Sequence, residues 1–137
     1  MEIFELEKNR DKKIAEKKSL VNKIYGLKLK LELHANDFNE DKVLSHVKNK
    51  ELAVLGQIEE MEKDLEIIEN ELNGIDEDIN SLYQIFKKYR DEEQQIYTEK
   101  KLYKWSNAKI SAKHGGISKW KINRIIKKIG NNFNQNN

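Results

Sequence analysis

Between Leu44 and Ile96 the chain carries an apolar residue at almost every first and fourth position of a seven-residue repeat. With Leu44 at heptad position a, the a positions are Leu44, Glu51, Ile58, Leu65, Leu72, Ile79, Phe86 and Glu93. The d positions are Val47, Val54, Met61, Ile68, Ile75, Leu82, Tyr89 and Ile96. Fourteen of these sixteen are apolar, the register does not slip, and no proline interrupts it. A seven-residue apolar repeat keeps one narrow seam turned toward a partner helix, which makes a left-handed coiled coil. The expectation is one continuous helix over residues 44–96. At about 1.5 Å per residue it would be a rod of roughly 80 Å.

The chain ahead of the repeat supplies a partner. Met1 to Leu33 reads as a first helix, with Leu20, Ile24, Leu27 and Leu31 on one stripe and a weak seam before Ile14. His34 to Asn39 breaks the pattern, and Asp37 and Glu40 have the spacing of a capping box. A helix, a short polar break and a second helix predict an antiparallel hairpin. Charge favours the same arrangement. A parallel homodimer would set Asp64 against Glu69 and Glu71 against Asp76. The first helix instead offers Lys8, Arg10, Lys12, Lys13, Lys17 and Lys18. Folded back, Lys8 to Lys13 would fall near Ile58 to Lys63, and Met1 near residue 70. The seam from Leu72 to Ile96 would then lack a partner within the chain, and an exposed apolar strip of that kind marks an interface. A homo-oligomer, a dimer first, is expected through Leu72–Ile96; the alternative is that the C-terminal module folds back and covers this seam.

Net charge is only +2, but the charges are segregated. Residues 59–78 hold ten Asp or Glu and one Lys, whereas residues 98–130 hold ten Lys or Arg and one Glu. A basic segment of this kind points to a nucleic-acid partner. The absence of cysteine excludes disulfides, thiolate metal sites and cysteine nucleophiles. His34 and His46 have no companion ligands, so no metal and no cofactor is expected. No nucleophile motif or phosphate-binding glycine loop appears, and the carboxylates follow the faces of a charged rod, so the chain does not read as an enzyme. No apolar run has the length of a membrane span, and no signal core opens the chain, so a soluble intracellular protein is expected.

The basic segment has the pattern of a helix-turn-helix. Ser106 caps a short helix through Lys113, His114-Gly115-Gly116 makes a turn, and Ser118 caps a last helix that Gly130 stops near Ile129. In one frame Ala112 is the small residue where the helices approach, Ile117 plugs the space beneath the turn, and Ile122 and Ile125 face inward. In the other, Ile110 and Ser111 take the apolar and small positions, and one glycine is an insertion. Trp105 and Tyr103 read as core of this module, and His114 as a residue of the turn within reach of a phosphate. The opposite face of the last helix presents Lys119, Trp120, Asn123, Arg124, Lys127 and Lys128. Arginine pairs with guanine and asparagine with adenine in the major groove. Lys119, Asn123 and Arg124 are therefore expected at base edges. Lys121, Lys127 and Lys128 are expected on phosphates, with Lys113 beside them. Trp120 either stacks on a base or packs on a partner. The expected architecture is all-α: a long coiled-coil helical hairpin over residues 1–96, a helix-turn-helix module over 97–130 and a disordered tail over 131–137.

The segment YTEKKLYKWSNAKISAKHGGISKWKINRIIKKI, Tyr97 to Ile129, resembles the C-terminal module of phage late-gene transcription regulators of the ArpU and RinA type. That module is similar to region four of sigma factors. The resemblance rests on the Tyr-led helix, the helix capped at Ser106, and the Ser118-led basic helix with Ile122, Arg124 and Ile125. It implies promoter DNA as the ligand, transcription control as the role, the cytoplasm of a bacterial or phage-infected cell as the place, and RNA polymerase as a further partner. Two other functions fit the same outline: a phage DNA-packaging recognition subunit of the small-terminase kind, and a coiled-coil adaptor that does not bind DNA.

Overall fold

The computed structural model describes residues 2–36 and 44–135. Among them there are five helices and no strand, so the chain is all-α. The helices are α1 (Ile3–Asn36), α2 (Leu44–Phe86), α3 (Asp91–Lys101), α4 (Asn107–Lys113) and α5 (Lys119–Gln135). The capping box of Asp37 and Glu40 lies outside the described residues. The chain packs as two compact units: Met1–Arg10 with Gly74–Asn137, and Asp11–Asn73.

The second of these units is a helical hairpin. Ile24 of α1 and Ile58 and Leu72 of α2 are buried. Leu20, Leu27 and Leu31, with Val54, Met61, Leu65 and Ile68, are half-buried around them. Residues Lys13 and Glu71 pair across the helices, as do Lys17 and Glu69 (3.5 Å) and Lys28 and Glu62 (3.4 Å). Numbers rise along α1 as they fall along α2, so the pairing is antiparallel. Its register differs from the expected one: Lys13 meets Glu71 and not the segment Ile58 to Lys63. The hydrogen bond to Glu71 holds the Lys13 ammonium above the usual lysine range.

The first unit has the larger core. Ile3 and Leu6 of α1 are buried with Ile79, Leu82 and Phe86 of α2, Ile96 and Tyr97 of α3, Ile110 of α4, and Ile122, Ile125, Ile129 and Phe133 of α5. Residues 1–10 therefore pair well beyond residue 70. Arg10 meets Asp76 at 3.7 Å, Tyr83 donates a hydrogen bond to Glu7, and Tyr97 donates one to Glu2. Burial, reinforced by Glu7, pushes the Tyr83 phenol up to about 12; burial, reinforced by Glu2, pushes that of Tyr97 up further.

Three expectations are corrected in this unit. The helix predicted over residues 44–96 is broken: α2 ends at Phe86 and α3 begins at Asp91. The last turn of α2 tightens, with Lys88 N–H donating to the Ile85 carbonyl (3.1 Å) and Tyr89 N–H to that of Phe86 (3.2 Å). Asp91, Glu92 and Glu93 then occupy the first turn of α3, and Lys100 and Lys101 its last. Both placements oppose the helix dipole and favour a new start at residue 91. The break folds Ile96 and Tyr97 back onto Phe86. Of the seam expected to self-associate, Leu72 to Ile96, the part from Ile75 onward is consequently packed against the chain's own α1, α4 and α5, which removes the reason to expect self-association there. Finally, residues 131–135 of the tail expected to be disordered are helical. α5 runs through Gly130 to Gln135, Phe133 is fully buried, and the Asn132 amide donates to the Tyr89 hydroxyl. Ile122, Ile125, Ile129 and Phe133 follow one another at spacings of three, four and four, so the apolar stripe continues past the glycine.

Candidate nucleic-acid interface

α4, its turn and α5 are built by local rules. The Ser106 hydroxyl accepts a hydrogen bond from Lys109 N–H (3.2 Å), and the Ser118 hydroxyl accepts one from Lys121 N–H (3.2 Å). Each serine satisfies a backbone donor that a helix start leaves unpaired. Between the helices Gly115 and Gly116 have φ of 71° and 84°, in the left-handed region that a side chain disfavours. That conformation lets Gly116 N–H donate to the Ser111 carbonyl (2.8 Å) and close the end of α4. Of the two frames read from the sequence, the second holds. Ile110 is fully buried and Ser111 half-buried, whereas Ala112 is exposed and does not sit where the helices approach. Ile117 packs against the core beneath the turn.

A buried carboxylate ties α3 to this turn. Glu99 is only 2% exposed; its Oε1 lies within hydrogen-bond distance of His114 Nε2, and its Oε2 faces Lys113 Nζ at 3.4 Å. His114 is therefore an internal strut and not a phosphate contact. Trp105 packs against the core and carries two lysines over its ring, Lys109 at 4.1 Å and Lys113 at 5.1 Å from the centroid. Tyr103 lies beside Trp105, the two rings tilted with centroids 5.9 Å apart, but is exposed, so it is not core.

On α5 the amphipathic split is complete. Ile122, Ile125, Ile129 and Phe133 are buried, while Lys119, Trp120, Lys121, Asn123, Arg124, Lys127 and Lys128 are all exposed. The structure thus brings every candidate residue except Lys113 onto one helix, with Lys113 at the end of α4. They are not equivalent. Trp120 is 70% exposed and its ring lies under the Arg124 guanidinium at 5.5 Å, a contact that props the arginine outward. Lys128 pairs with Glu93 (3.3 Å) and sits over the Tyr89 ring (5.4 Å). Lys113 is held by Glu99. Lys119, Lys121 and Lys127 have no ion-pair partner among the described residues. Arg90 is a cation that the sequence pattern did not assign. It lines a cleft of about 270 Å³ with Ile117, Lys121, Arg124, Lys128 and Glu93. Its place follows from the break before α3, for which no glycine or proline gave notice.

Such a face presents a guanidinium, an amide and several ammonium groups to solvent, a donor-rich set suited to anionic or hydrogen-bonding surfaces. Among the described residues no group of three or more His, Asp or Glu is placed to hold a metal ion, and no helix is long and apolar enough to cross a membrane. No family model matches the chain, and no curated protein or solved structure does so either.

Proposed function

We propose that this protein binds double-stranded DNA in a sequence-dependent way through α5 and acts in transcription control. The observation that carries the reading is the split of α5: four apolar residues lock the helix into the core, and seven polar, basic or aromatic residues are exposed on its other side. A helix held from behind in this way, entered through a tight turn from a short preceding helix, is the arrangement that lays side chains into a major groove. Lys119, Asn123 and Arg124 face the base edges in this reading. Lys121, Lys127 and Lys128 hold the backbone, and Lys113 and Trp120 flank them. The resemblance of residues 97–129 to regulators of the ArpU and RinA type supports transcription control as the setting.

The test is affinity for a site selected from genomic fragments and for a scrambled site, at several salt concentrations. Arg124→Ala should cost roughly 1–3 kcal/mol on the selected site and little on the scrambled one. Lys127→Ala should weaken both alike and shrink the salt slope by about one phosphate. Equal losses on both sites for both variants would show that α5 does not read sequence. No loss in either variant would exclude α5 from the contact.

A further inference from the structure

The hairpin unit has two unlike faces. Successive residues turn by about 100° around a helix. With Ile24 facing inward, Val21, Tyr25 and Leu29 fall on the flank of α1 that also carries Lys28. With Ile58 facing inward, Leu52, Leu55, Glu59 and Glu66 fall on the flank of α2 that also carries Glu62. The Lys28–Glu62 ion pair (3.4 Å) joins these two flanks into one face. On it Tyr25 is 65% exposed, Leu52 66% and Leu55 50%, with Val21 and Leu29 also exposed. The other face is a groove in which Lys12, Glu16, Lys23, Asp64 and Glu71 surround Leu20, Ile67 and Ile68.

We propose that the apolar face is a dimer interface, and that its occupant is the same face of a second copy of this chain. The argument is charge. Residues 11–36 hold seven Lys and three Asp or Glu, and residues 44–73 hold three Lys and eight Asp or Glu. Each hairpin thus sets a basic helix beside an acidic one. Two such faces can meet about a two-fold axis lying in the interface in either of two ways. An axis across the helices lays α1 on α1 and α2 on α2, which opposes like charges. An axis along the helices lays α1 of each copy on α2 of the other. Neighbours around the resulting four-helix bundle then alternate in sign, and every neighbouring pair is antiparallel, as within the hairpin. The second arrangement also keeps each level of one copy opposite the same level of the other, so Tyr25, Leu29, Leu52 and Leu55 of both copies share one stretch of core. Lys17 pairs with Glu69 within a chain at 3.5 Å, which places Lys18 and Glu66 at nearly the same level. Both lie on the apolar face, and the two-fold axis brings Lys18 of each copy toward Glu66 of the other. This interface does not involve α5 and stands apart from the DNA reading.

The test uses the full chain in analytical ultracentrifugation without DNA. The wild-type chain should sediment as a dimer. Tyr25→Glu combined with Leu55→Glu should halve the sedimenting mass and leave the helical circular dichroism unchanged, because both side chains are exposed in the hairpin. Charge reversal then reads the geometry. Lys18→Glu alone and Glu66→Lys alone should each weaken the homodimer, since both cross-copy contacts become repulsive. Mixed, the two variants should form a heterodimer in preference to either homodimer, because both contacts are then attractive. A monomeric wild-type chain, including one that instead captures another protein or a vesicle through this face, overturns the proposal. A dimer untouched by Tyr25→Glu with Leu55→Glu overturns it as well. A mixture with no preference for the heterodimer overturns the placement of α1 against α2.

Discussion

Replacing Phe133 by alanine should destabilise the protein by about 3–5 kcal/mol. The side chain is fully buried, with its ring 6.0 Å from that of Phe86 and 5.5 Å, edge-on, from that of Tyr97. A buried phenyl side chain removes on the order of 150–250 Å² from water. At about 25 cal/mol per Å² that is about 4–6 kcal/mol as an upper bound, since the unfolded chain is not fully extended and alanine keeps part of the burial. Lost ring contacts and a cavity that closes only in part bring the sum back into the same range. Urea unfolding followed by circular dichroism measures it. With a slope of about 2 kcal/mol per molar urea the midpoint should fall by roughly 1.5–2.5 M. A chain stopped after Gly130 should lose at least as much, because Asn132 also gives up its hydrogen bond to Tyr89. A loss under about 1 kcal/mol at an unchanged slope would refute the packing of residues 131–135 on the core.

Cysteines in place of Lys13 and Glu71 should crosslink within one chain, as mass and gel mobility without reductant will show. Cysteines in place of Lys13 and Ile58 should not, because the second position lies about 20 Å further along α2; the reverse result would refute the register. Gly116→Ala should cost about 1–2 kcal/mol through backbone strain alone, since φ is 84° and no atom lies within 4 Å of the added carbon. Gly26→Ala, inside α1 with equally open surroundings, should stabilise by up to about 1 kcal/mol; equal effects at the two sites by urea titration would contradict the turn geometry. Stability should also fall as pH rises above about 10, the ordinary tyrosine value. The folded state holds the Tyr83 proton up to about pH 12 and the Tyr97 proton longer, so the unfolded state loses protons first and is favoured through that window. Tyr83→Phe should flatten the fall between about pH 10 and about pH 12, and an unchanged slope would show that the phenol is not the titrating group.

What the sequence made legible divides along a physical line between local and non-local determinants. Ser106 and Ser118 act within one turn of themselves, and both caps stand where the pattern placed them. The exposed side of α5 was readable for a similar reason: once Ile122, Ile125 and Ile129 define an inward stripe, the positions of Lys119, Asn123, Arg124 and Lys127 follow from helix geometry. The seven-residue repeat also reported correctly that Ile79, Leu82 and Phe86 face a partner. Periodicity states which face is buried, however, and not what buries it. The partner is supplied by Ile3 and Leu6, a weak pair at the chain start, and by Phe133, hidden among the five asparagines of residues 131–137. Glu99 and His114 are fifteen residues apart and signal nothing until α3 and α4 are packed. The break before Asp91 did leave a trace, the three acidic residues that open α3 and put Glu93 at an a position of the repeat. Glu93 at an a position is not by itself the mark, since Glu51 occupies one within unbroken α2; the run of three carboxylates at a helix start is. The same logic moves the question of assembly from the covered seam to the hairpin, where Tyr25 and Leu55 remain in water on a face whose two helices carry opposite charge.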